Sequence, residues 1–453
     1  MPRASIEPTA VPQSQMGLPG QASTGWVRGM LLALFISNAG TALQIAAQAW
    51  LMWEMTHSAQ QLGLLGLVQA TPLLGVPLLG GMMADVWPRR SLLLVTQTSL
   101  GVIPALMAAL ALSGVLSPGL LLLMAGLLST ATAIDNPVRQ VYLPGVVPES
   151  LRGRTVGLNA LAYNAGAVIG PALSSLLLPL AGAGWCFLAN SLSYLLVVTW
   201  LLRGPEGRPA TGNETLGERI DNESLIGAGN RSSANKGVLA AAHYLRHSPL
   251  ALTMLGMVAA VSLLGRSYVH VLPALVNRSW GGGATAYGAL AALPGVGAVL
   301  AAGLTAWWLG KEHSGGSRGS STPHTWPVSA GAILLGCGIV ALGLSPVLLA
   351  AGAALLVVGF ASTATMTLLN ASLQGSTPNA VRGRVLSLYT ILAAGMPALG
   401  GWALGSAMVA TAPSSALVAA GLALVLLVVL LSMSKAGSLV RTHQSASNIA
   451  DDA

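Results

Sequence analysis

The sequence predicts an all-α membrane protein with twelve transmembrane helices in two pseudo-symmetric six-helix bundles and both termini cytoplasmic. Three observations predict it. Of 453 residues, 53% are hydrophobic and only 8% are Asp, Glu, Lys or Arg, against about 25% charged residues in an ordinary soluble domain. A water-facing surface cannot be built from so few charges. Long apolar runs such as Ser91–Ala111 and Ala416–Leu431 recur between short polar turns. Finally, a motif before one apolar run returns 230 residues later before another.

A helix needs about 20 apolar residues to cross the hydrocarbon. With Gly, Pro and charges as punctuation, the first half supplies spans at 28–53, 61–84, 91–113, 118–136, 155–180 and 184–202. Residues 1–25 contain Pro, Ser and Gln, lack an apolar core, and are expected to be a disordered tail. The run from Gly29 to Trp53 is too long for a signal sequence and stays in the membrane. The first bundle is therefore 26–203. Residues 204–247 (including GNETLGERIDNESLIGAGNRSSANKG) have no apolar period and form a cytoplasmic linker. The second bundle, 248–434, supplies 249–276, 284–309, 327–344, 346–371, 385–409 and 413–433, and 435–453 is a cytoplasmic tail. Abundant Gly and Ala suit closely packed helices, and the alternating short strands of a membrane barrel are absent.

Orientation follows from the basic residues. Of 21 Lys and Arg, only Arg266 and Arg278 fall away from cytoplasmic segments if both termini are inside. The reverse topology would place Arg89, Arg90, Arg152, Arg154, Arg382 and Arg384 outside. Trp26, Trp50, Trp53, Trp87, Trp185, Trp200, Trp280 and Trp326 sit near span ends, as interfacial anchors do. The net charge of +8 is thus spread over topology markers, not gathered in a nucleic-acid patch. Cys186 and Cys337 lie in apolar runs and make neither a disulfide framework nor a zinc site.

The repeat aligns Val147-Pro-Glu-Ser-Leu-Arg-Gly-Arg154 with Thr377-Pro-Asn-Ala-Val-Arg-Gly-Arg384, and Gly170 with Gly400, at one offset of 230. Such duplication indicates two bundles related by an axis along the membrane normal, with a site between them near the midplane.

The loop between spans two and three reads Gly80-Gly-Met-Met-Ala-Asp85-Val-Trp-Pro-Arg89-Arg90. It resembles the signature loop of the major facilitator superfamily, Gly-x-x-x-Asp-x-x-x-Arg-Arg, with Gly81, Asp85, Arg89 and Arg90 in its key positions. Pro88 departs from the usual Gly. A plain positive-inside turn would explain the arginines but not Gly81 and Asp85. The resemblance implies that this loop helps to hold the cytoplasmic side shut. The equivalent second-half loop is degenerate, with Trp307 where the acid would stand. Span five, with Gly166-Ala-Val-Ile-Gly170-Pro171, resembles the family's antiporter motif, which implies export over uptake. The stretch Ala133-Ile-Asp135-Asn-Pro137-Val-Arg139 and the later Arg382-Gly-Arg-Val-Leu-Ser-Leu-Tyr389 resemble the subgroup of the enterobactin exporter and related secretion effectors. Asp135 and Arg139 are one turn apart and are expected at the cytoplasmic end of span four. They either join Asp85 and Arg89 in a cluster that breaks on opening, or snorkel singly.

Polar residues on one face of an apolar span mark a cavity wall or interhelical bonds. Span one offers Asn38, Thr41, Gln44 and Gln48; span five offers Asn159 and Tyr163; span seven offers Ser262, Arg266 and His270; span ten offers Thr363, Thr367 and Asn370. The family resemblance places helices one, four, seven and ten around the cavity. An Arg inside a span costs at least about 2.5–3.5 kcal/mol on insertion scales. Arg266 therefore either snorkels outward or faces the cavity and meets an anionic or carbonyl-bearing group. Apart from Glu54 and Asp135, no expected span contains a carboxylate, so proton coupling is implied by the resemblance alone. No phosphate-binding Gly-x-x-x-x-Gly-Lys loop occurs, which argues against ATP hydrolysis. The expectation is a monomeric secondary-active exporter of small, amphipathic organic molecules in the cell (inner or plasma) membrane, with no cofactor, metal or nucleic acid. An importer, a lipid flippase or a non-transporting sensor on the same fold is the alternative. An enzyme would need His, Asp or Glu clustered at one depth, and none is visible.

Overall fold

The computed structural model describes residues 23–147, 149–205, 243–314 and 325–451. The expected N-terminal tail, most of the linker with its Asn-rich tract, and Pro148 lie outside the described residues. Every regular element is helical among the described residues. In chain order the helices are α1 (Thr24–Thr56), α2 (Ala59–Val86), α3 (Arg89–Leu112), α4 (Pro118–Val146), α5 (Glu149–Ala181) and α6 (Ala183–Leu202). The second half has α7 (Pro249–Trp280), α8 (Ala284–Ser314), α9 (Thr325–Leu344), α10 (Leu348–Ser376), α11 (Asn379–Ala410) and α12 (Pro413–Asp451). Among the described residues, eleven of these are long and apolar enough to cross a membrane.

Local chemistry sets the ends. Ser23, Ser117 and Ser248 cap α1, α4 and α7, each accepting from a backbone N–H three residues on. α1 stops at His57, whose left-handed φ of 46° turns the chain sharply into α2. Gly182 and Gly281, both at positive φ, make the one-residue and short turns after α5 and α7.

Three elements differ from expectation. α4 does not end near residue 136 but runs through Pro137 and Pro144 to Val146. Proline is tolerated inside membrane helices because neighbours re-satisfy the freed backbone groups. Asp135 and Arg139 consequently sit well inside α4, and Asp135 is only 2% exposed. Span seven is not a continuous α-helix. It is α-helical over Pro249–Ala260, π-helical over Val261–Gly265, and α-helical again from Tyr268. Helix α12 continues past residue 434 into the stretch expected as a tail.

Within the first half α1 packs on α5 and α6, α3 on α4 and α6, and α2 on α4; within the second, α8 and α9 pack on α10, and α9 on α12. The halves join through two equivalent pairs, α2 with α11 and α5 with α8. The repeat is visible in the packing. Gly170 of α5 meets the α1 backbone, where an added Cβ would lie 2.6 Å from the Ala39 carbonyl. Its counterpart Gly400 of α11 meets α7 at the Leu263 carbonyl, again closely enough to exclude a Cβ.

Candidate functional site

In the first half, Gly81 and Asp85 belong to helix α2, but their side chains lie outside the described residues, as does Trp307. Arg89 is half-buried at the start of α3, and its Nε meets no hydrogen-bond acceptor among the described residues. Arg90 donates from Nε and Nη2 to the carbonyls of Leu201 and Leu202, at 2.9 and 2.6 Å. A cation at the last carbonyls of α6 complements the dipole of its C-terminus. Trp26 Nε1 donates to the Trp200 carbonyl and Tyr142 to that of Pro205, so this end of the first half is tied around the exit of α6.

Asp135 has its own partners. It accepts from Thr96 Oγ1 at 2.8 Å and Gln97 Nε2 at 2.9 Å, and its second oxygen faces Arg139 Nε at 3.5 Å. Arg139 also donates to Asn136 at 2.9 Å. A buried carboxylate needs such bonds to stay charged away from water. The cluster therefore locks α4 to α3.

The polar residues of α1 do not share one open wall. Asn38 faces Gly166 of α5, and Thr41 bonds the Tyr194 hydroxyl at 2.9 Å. Gln44 and Gln48 are fully buried: Gln44 accepts from Asn190, Gln48 accepts from Gln69 at 2.8 Å, and both amides reach Met107 Sδ at 3.6 Å. They form a sealed network among α1, α2, α3 and α6. Gly166, Gly170 and Pro171 lie along α5, with both glycines against α1. Asn159 is half-buried and Tyr163 exposed on the other half of α5, and neither bonds another side chain among the described residues.

The second half holds a cavity of about 500 Å³ between α7, α10 and α11. Arg266, Thr363, Thr367 and Asn370, named from the sequence, line it, together with Ser362, Met366, Ala371, Gln374, Tyr389 and Ala393. Gln374 extends the Thr367–Asn370 stripe by one more helical turn and donates to Asn370, a continuation visible in the spacing. Tyr389 comes from α11, and nothing in its sequence context singled it out as a wall; its hydroxyl donates to the Met366 carbonyl at 3.3 Å. Arg266 follows the π turn directly, and its Nη1 donates to the Ala393 carbonyl at 3.2 Å. His270 does not line this cavity. Its ring sits between Gly66 of α2 and Gly401 of α11, at the contact between the halves.

The close approaches between halves gather toward one face, the one carrying the turns after α1, α3, α5, α7, α9 and α11. Gly63 and Gly405 let α2 and α11 touch there, and Gly288 of α8 rests on Ser174 and Ser175 of α5. Trp50 stacks on Tyr287 with centroids 5.5 Å apart. Arg278 donates to the His57 carbonyl at 2.8 Å and lies over the Trp53 ring at 5.1 Å. The cavity runs the other way, from Arg266 in mid-span to Gln374, two residues before the end of α10. On the orientation expected from the basic residues, the closed face is the outer one. The sequence did not anticipate the Arg278 contact, although Arg278 was one of two basic residues off the cytoplasmic side.

Comparison with known proteins agrees with this architecture. The structure resembles a bacterial homologue of the human lysosomal transporter Spinster, in an inward-facing and unoccupied conformation, with a TM-score of 0.66 and 16% identity, over 92% of this chain and 96% of that one. It also resembles a POT family transporter in complex with a thioalcohol-conjugated peptide, with a TM-score of 0.65 and 14% identity, over 92% of this chain and 98% of that one. At these identities the likeness is one of fold. The staphyloferrin A transporter of Staphylococcus aureus is 26% identical over 150 residues, which span 33% of this chain and only 38% of that relative. The profile of the transmembrane secretion effectors matches residues 23–451. The chain belongs to the transmembrane secretion effector family of major facilitator transporters.

Proposed function

We propose that the protein exports small organic molecules by secondary-active alternating access, its two halves rocking about the α2–α11 and α5–α8 contacts. The supporting observation is the cavity of about 500 Å³ that runs from mid-span at Arg266 toward the end of α10, away from a closed outer face. That volume lies within the range of small-ligand sites. Its lining combines hydroxyls and amides with one cation, while Thr41, Gln44 and Gln48 of the first half bond to side chains within that half. In this proposal the chain works as a monomer with twelve spans, both termini cytoplasmic, and 204–247 joining the halves on the cytoplasmic side. Close packing of Gly63, Gly288 and Gly405 on backbone of the opposite half supports the rocking, because backbones in contact can slide with few side chains to repack. Coupling to protons follows the family resemblance. The Asp135–Arg139 pair bonds to α3, within one half, so in this reading it stiffens that half as it tilts.

The direction is tested in cells that express or lack the protein, loaded with a library of fluorescent and radiolabelled small molecules. Faster loss of some compounds from expressing cells, abolished by collapsing the proton gradient, is the expected result. Faster accumulation instead would make it an importer, and equal retention of every compound would refute transport.

A further inference from the structure

The second half holds a cation in mid-span, Arg266, that meets no carboxylate among the described residues. Between residues 248 and 434 there is a single acid, Glu312, whose side chain lies outside the described residues near the far end of α8. The described carboxylates, Glu54 and Asp135, belong to the first half, where Glu54 accepts from Trp50 and Asp135 faces Arg139. Arg266 stands in mid-span, 17 residues into the 32 of α7. A guanidinium carries five N–H donors. Among the described residues it spends one, on the Ala393 carbonyl, and meets no carboxylate. A charge held in mid-membrane without a partner is costly and is kept where a pathway uses it.

The backbone at Arg266 is also unusual. The π turn Val261–Gly265 inserts a residue into the helix immediately before it, which rotates the following side chain relative to the first part of α7. Such bulges are rare and are frequently found at functional sites. This one is held from outside, because Gly400 of α11 lies directly against the Leu263 carbonyl. The result is a guanidinium in the cavity wall beside Thr367, Asn370 and Tyr389, none of which is charged.

We infer that the substrate is a carboxylate-bearing organic monoanion whose carboxylate docks on Arg266, the rest of the molecule lying along Thr367, Asn370 and Gln374. This deepens the exporter proposal and rests on it. A planar guanidinium matches a carboxylate in a two-point hydrogen-bonded fork. One positive charge neutralises one negative charge. The second charge of a phosphate monoester would stay unbalanced in a low-dielectric site, which disfavours it.

The test uses the full-length protein purified in detergent. Its probes are matched pairs: benzoate, phenylacetate and hippurate against their primary amides, with affinity read by isothermal titration. Wild type should bind at least one acid about ten-fold or more tightly than its amide. Arg266→Gln should erase that preference, and Arg266→Lys should keep part of it, having the charge without the fork. Should Arg266→Gln fail to fold, the wild-type preference and its weakening in Arg266→Lys decide the matter alone. Equal binding of acids and amides by wild type, no binding of any acid, or a preference that survives Arg266→Gln would overturn the inference. So would displacement of every acid by phosphatidylglycerol micelles, which would make the ligand a lipid headgroup. The exporter proposal fails separately, if acids bind but the halves never exchange between inward-open and outward-open distances.

Discussion

Replacing Arg278 with Ala should loosen the outer face. Arg278 joins α7 to the end of α1 twice, through a 2.8 Å bond to the His57 carbonyl and by lying 5.1 Å above the Trp53 ring. A hydrogen bond from a charged donor contributes about 1.5–3 kcal/mol when buried. Arg278 is exposed, so solvent screening reduces this bond to about 0.5–1 kcal/mol. The cation–π contact at an exposed site adds about 0.5–1 kcal/mol. Both contacts bridge the halves and must break for the outer face to open, so about 1–2 kcal/mol is lost from the closed state alone. At 1.4 kcal/mol per factor of ten, the outward-open population should rise about 5–30-fold. From a starting 1%, that is about 5–25%. The assay is double electron–electron resonance between spin labels at Ser113 and Val347, on outer turns of opposite halves, with Cys186 and Cys337 replaced by Ala. A second, longer distance should grow in Arg278→Ala. An unchanged distance distribution would show that this contact does not hold the outer face, and the magnitude reasoning would be wrong.

Other predictions follow from the packing. Gly400→Ala sets a methyl against the Leu263 carbonyl and should cost about 1–3 kcal/mol, as overpacking does. Gly383→Ala, with nothing within 4 Å of its Cβ, should leave the melting temperature unchanged or raise it; equal melting of the two variants would contradict the repeat packing. Asp135→Ala leaves the Gln97 amide without its acceptor and Arg139 without its counter-charge and should cost about 2–5 kcal/mol, with Asp135→Asn milder; thermal unfolding in detergent measures both. Gln44→Leu should lower stability while leaving substrate affinity within about two-fold, because its partners all lie within the first half. Asn370→Ala should do the reverse, weakening binding by about 0.5–1.5 kcal/mol for one lost hydrogen bond. Affinity loss in Gln44→Leu would place that network in the pathway.

Much of the fold was legible because a membrane simplifies the problem. Apolar length reports a span and Lys or Arg reports a side. The repeat was legible because Gly170 and Gly400 perform the same close approach in the two halves. Helix ends were less so. Pro137 and Pro144 looked like terminators, and only the packing around α4 allows the helix to pass through them. The break in α7 had no local signal, since Val261–Gly265 reads as an ordinary apolar helix; the Gly400 contact from α11 accompanies it in space. Polar spacing named Arg266, Thr363, Thr367 and Asn370 in the cavity wall. The same spacing could not distinguish these from Gln44 and Gln48, because a stripe shows which face is polar and not what the face meets. His270 shows the same limit. It lies one turn beyond Arg266 on α7, yet it faces two glycines of other helices across the interface between the halves.

The most direct test of the central claim is flux across a membrane of known orientation. Everted vesicles bearing the full-length protein would be energised with an inward-acid proton gradient and given the acid–amide pairs in radiolabelled form. The account predicts that at least one compound accumulates inside everted vesicles above vesicles lacking the protein, and that collapsing the gradient stops it. No accumulation of any compound, or accumulation only in right-side-out vesicles, would contradict export by alternating access.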